Sequence, residues 1–377
     1  MGLPLLVTLT FVRAFLLAAD KDEANQLVRF IALAGLAYAL YSIPAVVIDP
    51  KSLLWREKEA YLSNLTGTFV NRNTAATYFG TISILWLLLL LRAVRRSTGG
   101  ELGVRLTLAH WSRNGVPKEV ILASIGLVAC MTALGMTGSR AGLVLSLLAL
   151  AVAGLAWTAR TQRRFGGLRA LAVMAAVVAV ALELLGGLVM GRISTRGFED
   201  ISRTDTYWAV LGMIRDHPWL GIGLGQFETV FPAYRSGVGA TAGVFDKAHS
   251  VPLEIAVELG LPVAAMVLAA WALCAAALVR GVVRRRRARF LTVGGMAVGL
   301  LGSLHAIVDF SLQIPGYAVV FAAVTATGLA QAVASSVEES AAAQGLSAAA
   351  QGRAATEADL ASCVEGPAPK LPFKARS

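Results

Sequence analysis

The sequence predicts an all-α polytopic membrane protein, and three observations carry that reading. Apolar runs of about twenty residues recur along the chain, the length needed to cross a hydrocarbon core of roughly 30 Å. Hydrophobic residues make up 56% of the 377 positions and charged ones only 15%, too apolar a balance for an ordinary soluble domain. The net charge of +11 is concentrated in short basic clusters between the apolar runs. That pattern fits retention on the cytoplasmic side of a membrane and excludes a nucleic-acid surface as the leading explanation. About nine transmembrane helices are expected, near 3–19, 28–48, 76–93, 119–137, 141–158, 169–190, 252–280, 290–309 and 316–334, forming one integral-membrane domain over 1–334.

The first span contains Arg13 and lacks a cleavage site, so it reads as a retained segment and not as a removed signal. It is short and polar, which points to a further span upstream. Three connecting loops are strongly basic. One holds Arg92, Arg95, Arg96, Arg105, Arg113 and Lys118, and the next holds Arg160, Arg163, Arg164 and Arg169. The third holds Arg280, Arg284, Arg285, Arg286, Arg287 and Arg289. The positive-inside rule makes all three cytoplasmic. Alternation then exports the segment 49–75, the tight hairpin Thr137-Gly138-Ser139-Arg140-Ala141-Gly142, the long loop 191–251 and the turn 310–315. Asn64-Leu65-Thr66 matches a glycosylation sequon but is discounted. Cys130, Cys274 and Cys363 fall in two spans and a tail, with neither a disulfide framework nor a metal spacing. The tail 335–377 is rich in Ala, Ser, Gln and Gly and reads as a disordered cytoplasmic end.

The long outer loop is the one extended polar interruption. Thr204 is the expected N-cap of a helix inside it, with Asp205 in the first turn. Tyr207, Val210, Leu211 and Ile214 recur at helical spacing as an apolar stripe for the membrane or the spans. Arg203 is expected just before this helix and Arg215 at its end, and Pro218 stops it. The run Gly221, Gly223, Gly225 follows a helix instead of a strand and has the wrong spacing for a dinucleotide fingerprint. Its backbone N–H groups could cradle an anion, or the run could serve as a flexible turn.

Four sets of polar residues could carry chemistry. His249 precedes Ser250, the expected N-cap of the next span, and so sits at a helix N-terminus that disfavours a protonated imidazole. A neutral imidazole is what a general base needs, although an interfacial histidine bonded to backbone would look the same. Arg140 sits at the tip of a short hairpin between two apolar helices, as a functional cation or a snorkelling one. Glu254 and Glu258 share a helix face and need partners, with Arg140 or a loop arginine expected. His305 and Asp309 are expected to form an i,i+4 pair at the outer end of their span. No Asp-x-Asp motif or His/Cys cluster suggests a metal, and no cofactor is expected.

Taken together, these pieces resemble the O-antigen ligase and polymerase superfamily over about residues 66–330. The most specific part is His249-Ser250, nine residues, Gly260, two residues, then Val263, which fits the ligase pattern of His, Asn/Ser/Gln, nine residues, Gly, two residues, Gly/Thr/Val. Supporting pieces are Asn71-Arg72-Asn73-Thr74-Ala75-Ala76, Ser139-Arg140-Ala141-Gly142, Pro218-Trp219-Leu220-Gly221-Ile222-Gly223, and His305 through Asp309-Phe310 to Pro315. The N-terminal half is shorter than in relatives. The resemblance implies a GT-C-like fold in the bacterial inner membrane, facing the periplasm, and metal-independent, inverting transfer of a glycan. The implied donor is an undecaprenyl-diphosphate-linked glycan, and the implied acceptor is lipid A–core or a growing glycan. Carried over by motif, His249 would be the base and Arg140, Arg203 and Arg215 would hold the diphosphate. Glu254, Glu258, His305 and Asp309 would support them.

Ligation and chain polymerisation both fit this architecture, and the His-Ser pattern favours ligation. A small-solute transporter of the inorganic-carbon kind would need polar groups through the bilayer midplane and broken spans in repeated halves, whereas the ionisable residues cluster at the outer ends. A non-catalytic assembly partner would leave His249 dispensable.

Overall fold

A computed structural model describes residues 2–99, 104–158, 197–235, 247–284 and 289–334. The expected span 169–190, the cluster Arg160–Arg169 and the tail 335–377 lie outside these residues, as do the side chains of 104–106 and 197–205. In chain order the helices are α1 (Gly2–Leu17), α2 (Lys21–Ile48), α3 (Arg72–Ser97), α4 (Val104–Asn114), α5 (Lys118–Met136) and α6 (Arg140–Thr158). They continue with α7 (Gly197–Asp216), α8 (Phe227–Val230), α9 (Val251–Arg284), α10 (Arg289–Val308) and α11 (Pro315–Ala334). The strand pairing among the described residues is one ladder of two residues a side, Ser52–Leu53 against Arg56–Glu57, so the protein is all-α.

Seven of these helices, α2, α3, α5, α6, α9, α10 and α11, are long and apolar enough to cross a membrane. The first expected span is apolar but has only 16 residues, about 24 Å of helix. Helix ends follow local chemistry more closely than apolar runs do. α2 begins seven residues before the expected start because Asp20 caps it, accepting the Asp22 and Glu23 N–H groups at 2.7 and 2.9 Å. Asn71 caps α3 in the same way, through the Asn73 N–H at 2.7 Å. One basic loop contains a helix that the apolar pattern does not mark, α4.

α3 is the central element: 78% of its most apolar window is buried, against 11% for α9. Lipid is as apolar as leucine, so helices in a bilayer associate through close fit more than through hydrophobic force. Small residues provide that fit here. Gly80 of α3 packs against Ser146 of α6, and Gly142 of α6 against Ala76 of α3. Gly295 of α10 and Gly328 of α11 meet backbone to backbone. The segment between α2 and α3 is anchored against α2, α3 and the α5–α6 hairpin. Tyr38 bonds Thr68 at 2.8 Å and stacks with Phe79. Leu65 N–H donates to the Met136 carbonyl at 3.0 Å, and Asn64 lies against Gly138 of the hairpin.

Candidate functional site

The site is shaped by a break in α9. Pro262 has no N–H to give the Glu258 carbonyl, so regular helical bonding fails there. Gly260 takes φ 80°, ψ 165°, a conformation open essentially to glycine alone. The turn after α7 supplies the missing bonds. Gly223 N–H donates to the Glu258 carbonyl at 3.0 Å, Ile222 N–H to Val257 at 2.8 Å, and Leu261 N–H to Pro218 at 2.8 Å. The approach leaves no room for side chains at the crossing. A Cβ on Gly260 would run into the Trp219 carbonyl, and one on Gly221 would lie 2.5 Å from the Glu258 carbonyl carbon. The glycine run is therefore a structural clamp on a broken helix. It is neither an anion cradle nor a loose turn, because two of its N–H groups are consumed by α9.

The clamp holds α7 and α8 over the first half of α9. Val210, Met213, Phe227, Phe231, Ala248 and Val257 form a small buried core of their own. α7 starts at Gly197, well before Thr204, so Thr204 is not its cap and Arg203 lies within the helix, one turn before Tyr207. The buried stripe runs through Val210 and Met213, while Leu211 is 45% exposed. Pro218 does follow the end of α7.

Against this platform the loop that carries His249 is fixed from three sides. Glu254, one turn into α9, accepts the Ala248 N–H at 3.1 Å and pairs with Lys247 Nζ at 3.4 Å. The Tyr207 hydroxyl donates to the His249 carbonyl at 3.3 Å. The Phe310 ring lies 5.2 Å from the imidazole, centre to centre. His249 itself has φ 51°, a left-handed conformation that costs a non-glycine residue about 1–2 kcal/mol. Held strain of this kind is typical of functional positions. Glu258 is buried as well and accepts the Phe227 N–H at the start of α8, at 3.3 Å. Among the described residues, Glu254 is met by Lys247 and the Ala248 N–H and Glu258 by the Phe227 N–H, where arginine partners were expected.

A chain of polar contacts runs on from Phe310. Asp309 Oδ1 accepts the Phe310 N–H at 2.7 Å, and its other oxygen accepts Asn73 Nδ2 of α3. Asn73 Oδ1 accepts Ser139 Oγ of the α5–α6 hairpin at 2.8 Å, and Arg140 is the next residue. His305 Nδ1 meets Ser311 Oγ at 3.2 Å, where the chain turns back after the helix. Both residues are buried. The motifs at Asn71–Ala76, Ser139–Gly142 and His305–Pro315 thus converge on one end of α3.

The arginines are placed less uniformly. Arg140 opens α6, half-buried and without a carboxylate partner among the described residues. Arg215 lies in the last turn of α7, exposed. The Arg203 side chain lies outside the described residues. Sequence reasoning missed Lys247, Tyr207, Asn73 and Phe310. Asn73 and Phe310 fall within the motifs noted in the sequence and Tyr207 within the helical stripe, while Lys247 carried no signal. Among the described residues no group of three or more His, Cys, Asp and Glu side chains gathers as metal ligands.

Residues 125–268 match the family model described as O-antigen ligase, Wzy_C. The matched stretch runs from α5 to the middle of α9, takes in Arg140, His249, Glu254 and Gly260, and supports the O-antigen ligase superfamily reading. No curated protein matches the chain.

Proposed function

We propose that this chain, an O-antigen ligase/polymerase-type membrane enzyme by its 125–268 segment, transfers a glycan from undecaprenyl diphosphate to a lipid A–core acceptor. The reaction runs on the extracytoplasmic face of a bacterial inner membrane, in a GT-C-like scaffold, without a metal and with inversion. The observation that carries the reading is the His249 loop: a strained imidazole-bearing turn held by Glu254, Tyr207 and Phe310, on the end of the bundle where Arg140 opens α6.

In the proposed step the acceptor hydroxyl oxygen attacks the anomeric carbon and forms the new glycosidic bond. Its proton passes to an imidazole nitrogen of His249. The bond from the anomeric carbon to the diphosphate oxygen breaks, and the electron pair leaves on that oxygen. Arg140, Arg203 and Arg215 bind the diphosphate, where guanidinium forks match its geometry and stabilise the developing charge. Glu254 is a positioning residue for His249, Glu258 fixes α8, and His305 and Asp309 tie the Phe310 turn to α3.

The test is transfer of a polyprenyl-diphosphate glycan by membranes carrying each variant at matched expression. His249→Ala should leave donor binding nearly intact and lower turnover about 10²–10⁴-fold; transfer at the wild-type rate would remove the base. Arg140→Ala should weaken donor binding and slow transfer, and Arg140→Lys should restore little because an ammonium lacks the bidentate fork.

A further inference from the structure

A second polar site lies at the other end of α3. From Asn73 to Arg92 is 92 − 73 = 19 residues, about 28 Å of helix, so the two places sit at opposite ends of a membrane-spanning helix. A cavity of about 520 Å³ opens there between α2, α3 and α5, with Arg29, Arg92, Arg96 and Glu119 among its polar lining. Arg29 and Arg96 share this wall with Arg92. Three guanidiniums facing one cavity with Glu119 as the acid on its wall leave it positive.

Arg92 is held ready. Its Nη1 donates to Asn25 Oδ1 at 2.6 Å and its guanidinium lies 4.3 Å over the Phe290 ring, which fixes the plane in which its remaining donors point. The Trp86 indole N–H, from another lining residue, is buried with no acceptor among the described residues. The remaining wall is apolar and open to the side: Leu33 and Leu122 line it and are 47% and 43% exposed.

We infer that this cavity binds an anionic phospholipid, its phosphate held by Arg29, Arg92 and Arg96 and its acyl chain lying along Leu33 and Leu122. The charge selects an anion, and guanidinium forks suit phosphate. The half-exposed leucines select hydrocarbon, which a free phosphate would not supply. Basic pockets between spans are a recurrent setting for lipid headgroups. The inference does not depend on the glycan-transfer reading.

The experiment is native mass spectrometry of the purified full chain reconstituted with phosphatidylglycerol or phosphatidylcholine. Arg29→Gln and Arg96→Gln are the test variants, since both arginines are exposed while Arg92 also binds Asn25. Wild type should retain phosphatidylglycerol over phosphatidylcholine, and each substitution should lower that retention about tenfold. Arg29→Lys with Arg96→Lys should keep part of it, showing that the variants fold. Equal retention of the two lipids by wild type would overturn the inference, and so would an undiminished preference in the Gln double variant. Displacement of the lipid by inorganic phosphate would overturn it in favour of a soluble anion.

Discussion

The two halves of α9 share one helix and oppose each other in every other respect. Before Gly260, the buried residues include Glu254 and Glu258. After it, Leu261, Met266, Leu268, Leu273 and Val283 stand exposed. In a soluble protein this pattern would be inverted. A carboxylate is tolerated in the interior when backbone N–H groups and an ammonium meet it, and exposed leucine carries no penalty when its surroundings are lipid. The turn from Pro218 to Gly223 is what separates the two regimes, because it takes up the carbonyls that the break releases.

The largest effect is expected at the boundary between the two halves. Gly260→Ala faces both the glycine-only backbone and the Trp219 carbonyl, and should cost about 3 kcal/mol or more. Denaturation in detergent would read it, along with protease nicking between Pro218 and Arg235. Gly225→Ala is the reference, with φ 75° but open space around it, and should cost only about 1 kcal/mol. Equal losses would mean that the turn does not clamp the helix.

A smaller effect belongs to the buried half. Glu254→Gln removes the charge that meets Lys247 and the Ala248 N–H, and turnover should fall about tenfold. If Glu254 acts by positioning His249, adding the change to His249→Ala should cost nothing further, because the two effects are not additive. A full additional tenfold loss in the double variant would assign Glu254 a separate role. Smallest of all is the lipid-facing half: Leu268→Ala should change stability by less than about 0.5 kcal/mol. A loss of several kcal/mol would show that this face meets protein.

What the sequence determined by itself are the properties that follow from neighbours in the chain. Apolar run length marks α2, α3, α5, α6, α9, α10 and α11 as spans, because crossing a bilayer depends on local hydropathy alone. His249-Ser250 with Gly260 and Val263 marked the place of the proposed site for a similar reason, being a fixed spacing across the start of one helix. Tertiary structure decided the rest. Gly260 is legible as a letter in a pattern, but its cause is the contact with Trp219, 41 positions back (260 − 219). Lys247 and the Ala248 N–H became the partners of Glu254 because the loop folds back on α9. The bond from Asn73 to Asp309 joins residues 236 apart, and nothing in either neighbourhood specifies the other. Burial of a polar side chain in a bundle demands a partner, and only the packing of α3, α6, α10 and α11 chooses which one it meets.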